Sequence, residues 1–379
     1  MTTVVVVGAG IVGAACAYHL ARAGAEVTVL ERGTVAGGTS SAGEGNILVS
    51  DKPPGPELEL ALWSRRLWHE LAADVDAEAI ELEPKGGLVV AVSPAERDHL
   101  YALADRQRAA RVTATEVLPG QLPDFEPRLA DGLAGGVYFP QDAQVQPMLA
   151  AAHMLKGLQV RTGVEVRGFR SGPSGEVTGV QTADGAVVPA QAVVNAAGVA
   201  GGEVAGFAGT RLPVEPRRGF ILVTEPLGGA REPKPIRHKV YTAGYAAAVA
   251  SGEATLQAAA VIEGTRSGTV LIGSSRERRG FDPSYPLQVL RVLAAQAVVL
   301  FPFLARVRVL RAFHGFRPST PDHLPVIGPD PNLPGLWHAC GHEGAGIGLA
   351  PATGAMVAAM LSGAAPAVDP APFHPGRFR

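Results

Sequence analysis

"VVVVGAGIVG" spans Val4 to Gly13, and "AEVTVLE" spans Ala25 to Glu31. Thr3 to Val7 is an unbroken β-branched run, which suits a strand buried on both faces of a parallel sheet. Glycines follow at once, Ala14 to Ala23 reads as a helix, and Ala25 to Glu31 reads as a second strand ending in an acid. This is the βαβ dinucleotide fingerprint in the context it requires. Gly8 makes the tight turn, Gly10 lets the main chain approach a pyrophosphate, and Gly13 lets helix and strand pack closely. Ile11 and Val12 lie in the same loop and are expected to contact the cofactor, and the helix N-terminus supplies N–H donors and a positive dipole end to the phosphates. Glu31 lies where a ribose hydroxyl needs an acceptor.

NAD and FAD share this fingerprint, so the choice rests on the residues after Glu31. Arg32 to Asn46 reads "RGTVAGGTSSAGEGN", a second loop rich in Gly, Ser and Thr. An NAD domain normally moves straight to another helix. FAD is longer and asks for further donors along its pyrophosphate and ribityl chain. Thr39 and Ser40 are placed to supply them, with Glu44, Gly45 and Asn46 toward the ring and Arg32 toward the adenosine. The cofactor expected is non-covalent FAD.

Composition narrows the remaining classes. The chain has 379 residues, long enough for two domains. Its 33 Lys+Arg nearly balance 35 Asp+Glu, and no basic stripe points to nucleic acid. Two cysteines, Cys16 and Cys340, build neither a disulfide framework nor a four-thiolate cluster, and no metal is expected. The longest apolar run, Val4 to Ala17, is too short to span a bilayer. A soluble cytoplasmic protein with no membrane span is expected.

Farther on, "GLQVRTGVEVRGFRS" reads as strands with a polar break, placing Val166 near the adenine. Gly175 to Val199 reads as a hairpin with an Asp-Gly turn, then a strand ending in Ala196-Ala197-Gly198. Small residues there, Ala196 and Gly198 among them, let a ligand lie against the main chain. Gly86 to Val112 and Arg217 to Glu277 form two further blocks; the second is strand-rich with turn signals between and suits an antiparallel sheet that serves as a substrate platform. The fold expected is α/β, with a Rossmann-like FAD-binding domain (1–85, 145–215 and 306–379) and an inserted α+β substrate domain (86–144 and 216–305). Tyr241 and Tyr245 are candidates to line its pocket.

A second glycine loop, "HACGHEGAGIGLAPATG", runs from His338 to Gly354. With "GFRPSTPDHLPVIGP" before it, the chain resembles the D-amino-acid-oxidase-like FAD family, in its glycine oxidase and sarcosine oxidase branch. The matching residues are Arg317-Pro318, Asp322, Pro325, Ile327-Gly328, Gly341-His342, Gly346 and Pro351-Ala352-Thr353-Gly354. The resemblance covers nearly the whole length. It implies that His342, Glu343, Gly344, Ala345, Gly346, Ile347 and Gly348 lie along the isoalloxazine end of FAD. It also implies that Arg317 grips a substrate carboxylate through its planar fork. A helix beginning near Ala350, with Pro351 in its first turn, would direct its positive end at the flavin. The family's second arginine, in the flavin loop, is matched here by Gly344, so a bulkier or cyclic substrate fits the vacated space. Cys340 does not match the family's flavinylated cysteine.

The activity implied is oxidation of the Cα–N bond of a small amino or imino acid. "AGEGN" and "HEGAG" most resemble D-hydroxyproline or D-proline dehydrogenases, or the β subunits of opine and cyanide-forming oxidases, which implies an external acceptor and electron-accepting partner subunits. An O2-using oxidase and a FAD-bearing electron-transfer subunit are the alternatives.

Overall fold

A computed structural model describes residues 1–228, 234–245 and 256–379. The opening βαβ unit forms as its residue types require. The strand Thr3–Val7 pairs in parallel with Glu26–Glu31 on one side and Ala192–Asn195 on the other. Val4 and Val6 pack into one core and Val5 and Val7 into another, so both faces are buried. The sheet continues outward through Gln159–Thr162 at one edge, and through Leu336–Cys340 and then antiparallel Val326–Pro329 at the other.

One face of this six-stranded sheet is covered by the helices Ile11–Arg22, Pro56–Val75 and Gly346–Leu361. The other face packs on a three-stranded sheet of Val166–Ser171, Val177–Thr182 and Val187–Pro189. The last two form the expected hairpin, with Gly185 at its turn in the left-handed region (φ +86°).

The strand-rich blocks join in an eight-stranded sheet, ordered Val309–Ser319, Glu215–Thr224, Val270–Arg276, Gln257–Gly264, Lys239–Thr242, Gly87–Ala91, Gly135–Phe139, Thr115–Val117. Only the pairing of Lys239–Thr242 with Gly87–Ala91 is parallel. The helix Leu287–Leu300 seals one face through Leu293 and Ala297, over Phe220, Leu222, Ile262 and Ile272. Within the segment 216–305, residues 229–233 and 246–255 lie outside the described residues.

Two details differ from the sequence expectation. Residues 309–319, expected among the nucleotide-binding segments, pair with Glu215–Thr224 along nearly their whole length and form the edge of the eight-stranded sheet. The C-terminal helix begins at Gly346, not near Ala350, so Pro351 sits inside it. Proline there leaves the Ile347 carbonyl without its usual donor. Beside the interruption, Trp68 Nε1 donates to Gly348 O (3.2 Å) and Ala352 N donates to Ser64 Oγ (3.2 Å). The buried face of Pro56–Val75 thereby supplies hydrogen bonds where the helix loses one.

Candidate active site

A cavity of about 510 Å³ runs between the two large sheets. At one end lie Gly8, Gly10, Ile11, Val12, Glu31, Arg32, Val166, Ala196 and Gly198; in the middle, Thr39, Ser40, Glu44 and Asn46; at the other end, Arg317, Tyr245, His342, Glu343, Gly344, Gly346 and Ile347.

The first glycine loop is built for close approach. Gly8 has φ +105°, and a Cβ there would stand 2.5 Å from Ala196 O. A Cβ on Gly13 would stand 2.0 Å from Gly8 O, so Gly13 packs helix on strand and does not face the cavity. Glu31 accepts from Ala9 N (2.9 Å) and Gly33 N (2.7 Å), which fixes its carboxylate at the mouth. Ser40 Oγ accepts from Ile11 N (2.9 Å) and Thr39 Oγ1 donates to Phe316 O (2.7 Å). The second loop is thus tied to the helix start on one side and to the eight-stranded sheet on the other. A backbone cradle that no Cβ can enter, a helix N-terminus and an acid beside it fit the pyrophosphate and ribose of FAD.

The far glycine loop is held by charge. Glu343 adopts a left-handed conformation (φ +47°), and its N–H donates to Pro318 O (2.8 Å). Its buried carboxylate takes Arg217 Nη1 at 2.5 Å and His323 Nδ1 at 2.7 Å. The hydrogen bond from His323 and the Arg217 charge outweigh burial and hold the Glu343 carboxyl below its usual range; the same pairing raises His323. His342 is different. Burial lowers it to about 3, so it is a neutral imidazole. Thr353 Oγ1 donates to Leu349 O (3.0 Å), so it accepts from His342 Nε2 (2.9 Å). His342 is therefore a packed strut of the loop, not an acid–base group.

Arg317 reaches across Gly219, where a Cβ would stand 2.1 Å from Nη1. Its fork donates to Ser275 O (2.9 Å) and Ser274 Oγ (2.9 Å). Burial, then the neighbouring Arg276, lower its pKa to about 10, which leaves it charged at neutral pH. Glu44 is buried on the wall, with Oε2 accepting from Asn46 Nδ2 (3.1 Å) and lying 3.7 Å from Lys239 Nζ. Lys239 is held in turn by Glu263 at 2.5 Å. Glu44 Oε1 has no hydrogen-bond partner among the described residues. Burial raises the Glu44 carboxyl above its usual value despite Lys239.

Several expected site residues fall elsewhere. Tyr241 does not reach the cavity; it is fully buried and its hydroxyl hydrogen-bonds Ser50 Oγ (2.5 Å), which also bonds Asp142. Its ring supports Tyr245 edge-on, with centroids 5.1 Å apart. Gly45 faces Val145, whose carbonyl would stand 1.8 Å from a Cβ, so its glycine serves chain crossing. Ala345 and Gly348 border a small adjoining crevice with Leu48 and Lys52. Conversely, His314, Phe281 and Phe316 line the cavity, and Ser274 and Ser275 seat Arg317, none of which local spacing announces. Cys340 also lines it, but burial pushes its thiol up to about 12, far from a reactive thiolate.

A dinucleotide cradle opening onto a sheet that presents a charged arginine defines a flavin-dependent oxidoreductase. The chain belongs to the DAO family of FAD-dependent oxidoreductases, whose sequence profile matches residues 3–360. It is 33% identical to the glycine oxidase of Pseudomonas putida, across 98% of each chain. It is 28% identical to the hydrogen cyanide synthase subunit HcnC of Pseudomonas aeruginosa, over 99% of this chain and 96% of that one. The crystal structure of glycine oxidase from Geobacillus kaustophilus superposes with a TM-score of 0.86 at 29% identity, covering 99% of this chain and 98% of that one. FAD is accordingly its cofactor. Among the described residues no helix is long and apolar enough to cross a membrane.

Proposed function

We propose that this chain oxidises the Cα–N bond of an amino or imino acid to the imine and passes the electrons to an external acceptor. The observation that carries the reading is Arg317: a charged fork on the cavity wall whose hydrogen bonds all go to neutral oxygens. Such a fork is suited to a carboxylate. The Gly8–Gly13 turn, Glu31, Arg32 and Val166 take the adenosine diphosphate half of the cofactor. The Thr39–Asn46 and His342–Ile347 loops take the ring half. FAD, when bound, supplies a two-electron acceptor for the hydride.

The chain's own residues then position the substrate. Arg317 holds the carboxylate. Glu44, which lines the cavity and whose Oε1 has no hydrogen-bond partner among the described residues, takes a proton from the amine nitrogen, a task its raised pKa suits. Tyr245 closes the pocket over them. Domain roles follow: the six-stranded sheet serves the nucleotide and the eight-stranded sheet serves the substrate.

The likeness to a protein named as a synthase subunit supports an acceptor on partner subunits. Two free, buried cysteines fit a cytoplasmic setting.

The test is anaerobic mixing of the FAD-loaded protein with D-amino acids, N-methyl amino acids and cyclic imino acids. At least one should bleach the flavin absorbance. Arg317→Met should keep FAD and lose about 2–4 kcal/mol in apparent kcat/KM. Absence of bleaching across the panel refutes the reaction; unchanged kinetics in the Met variant remove Arg317 from it.

A further inference from the structure

Arg276 ends the strand Val270–Arg276, two residues beyond the Ser274 that seats Arg317. Residues two apart on a strand share a face, about 6.6 Å along it. Arg276 is therefore a second guanidinium on the Arg317 side of the sheet. It is only 2% exposed, yet among the described residues it makes no side-chain hydrogen bond and no ion pair, and its Nε is buried without an acceptor. Its guanidinium carbon lies over the Tyr245 ring, 4.7 Å from the centroid.

Neighbouring carboxylates do not balance it. Glu343 is engaged by Arg217 and His323, Glu277 by Arg218, and Glu44 lies beside Lys239 and Asn46. Arg276 and Arg317 thus sit close together with like charge, and Arg276 lowers the Arg317 pKa. A cation–π contact recovers only part of the cost of desolvating a guanidinium. Glu44 and Glu343 lie within electrostatic reach of Arg317, but among the described residues no anion is bonded to Arg276; a buried cation left so costs stability in the folded protein, and a ligand that brings a second negative charge relieves it. Tyr245 links the pair to the cavity, since it lines that cavity and carries Arg276 on its ring.

We propose that the substrate carries a second carboxylate, held by Arg276 while Arg317 holds the first. This rests on the carboxylate-binding role of Arg317 and narrows it. The substrate class is then a dicarboxylic amino or imino acid. Its negative ends face the two guanidinium groups, and its nitrogen faces Glu44. Gly344 lines the cavity beside Arg317 without a side chain; a Cβ there would touch Arg317 Cδ and Nε at 3.6 Å.

The experiment separates binding from turnover. Glutarate and butyrate, which have no amine to oxidise, are titrated into the FAD-loaded protein, with flavin absorbance and thermal shift as readouts. Glutarate should bind on the order of 10- to 100-fold more tightly, the value of one added charge-assisted pair. Arg276→Gln should erase that preference and Arg276→Lys should restore part of it. In parallel, DL-glutamate is compared with DL-norvaline in anaerobic flavin reduction, and glutamate should win by a similar factor. Equal binding of glutarate and butyrate to the unaltered protein overturns the proposal, whether or not Arg276→Gln folds. If norvaline reduces the flavin as well as glutamate does, the proposal fails while the amine-oxidation reading stands. If glutarate is preferred through Arg276 but no amine reduces the flavin, the dicarboxylate site stands and the oxidation reading fails.

Discussion

Gly354 is the point at which the two ends of the cofactor site are braced against each other. It lies in the helix Gly346–Leu361, and a Cβ there would stand 2.4 Å from Ala15 O and 2.5 Å from Ala15 C, both main-chain atoms of Ile11–Arg22. Neither atom can swing aside as a side-chain end would. Restoring an ordinary carbon contact in Gly354→Ala needs the helices to part by about 1 Å, and a gap of that size forfeits up to half of each contact across it. The contacts at risk are those of Ala14, Ala15, Cys16, Ala350, Ala352 and Val357, all fully buried. Overpacking of this kind costs about 3 kcal/mol. At ~2.1 cal/mol/K per residue, that lowers Tm by roughly 4 °C. One helix starts at the pyrophosphate loop and the other at the His342–Ile347 loop, so their separation also misaligns the two halves of the cofactor site. FAD affinity should fall, by up to ~100-fold if the whole cost appears in binding. The assays are thermal denaturation and fluorescence titration of apoprotein with FAD. Gly206→Ala is the control, since no atom lies within 4 Å of its Cβ position. A Gly354→Ala protein with Tm and FAD affinity matching the control would refute the bracing argument.

Three further outcomes are expected. Flavin reduction should show an acid limb above the ordinary carboxyl value of 4.5, because burial raises Glu44 and its carboxylate form accepts the proton; Glu44→Gln should abolish that limb, and a limb that survives would exonerate Glu44. His323 is raised above 6.5, so its share of stability is complete below that value and is lost as pH rises through its folded pKa; Glu343 is lowered below 4.5, so its share is complete above 4.5 and is lost as pH falls through its folded pKa. Holoprotein Tm should therefore drop as pH rises above 6.5, and His323→Gln should flatten that slope; parallel curves for the two proteins would contradict it. Acid precipitation should release FAD into the supernatant, as the protonated, buried Cys340 thiol predicts; flavin retained in the pellet would contradict this.

The βαβ unit was legible because each of its instructions is local. Gly8, Gly10, Gly13 and Glu31 lie within one short stretch, and their roles follow from spacing. Arg317 and the His342 loop became legible only through family resemblance. Spacing hides contact across the chain. Nothing near Ser40 announces that its hydroxyl will take Ile11 N, and nothing in "GSSRERRG" tells the buried Arg276 from the half-exposed Arg278. Tyr241 and Tyr245 look equivalent in sequence, yet one faces Ser50 and the other the cavity. The Pro351 position misled for a similar reason. Proline is most at home in a first turn, and only the partners offered by Trp68 and Ser64 let this helix start earlier.

The crossing at Gly354 also sets a schedule for making the protein. Gly354 leaves the ribosome well over three hundred residues after Ala15. At typical synthesis rates of 5–20 residues per second, that interval lasts on the order of 20–70 s. Throughout it the nascent N-terminal helix shows an alanine-rich face with nothing to cover it, and the nucleotide cradle lacks its opposite wall. Flavin capture therefore waits until the Gly354 helix has been made. During the wait, chaperones that hold exposed apolar surface, and not the cofactor, would keep this chain from aggregating.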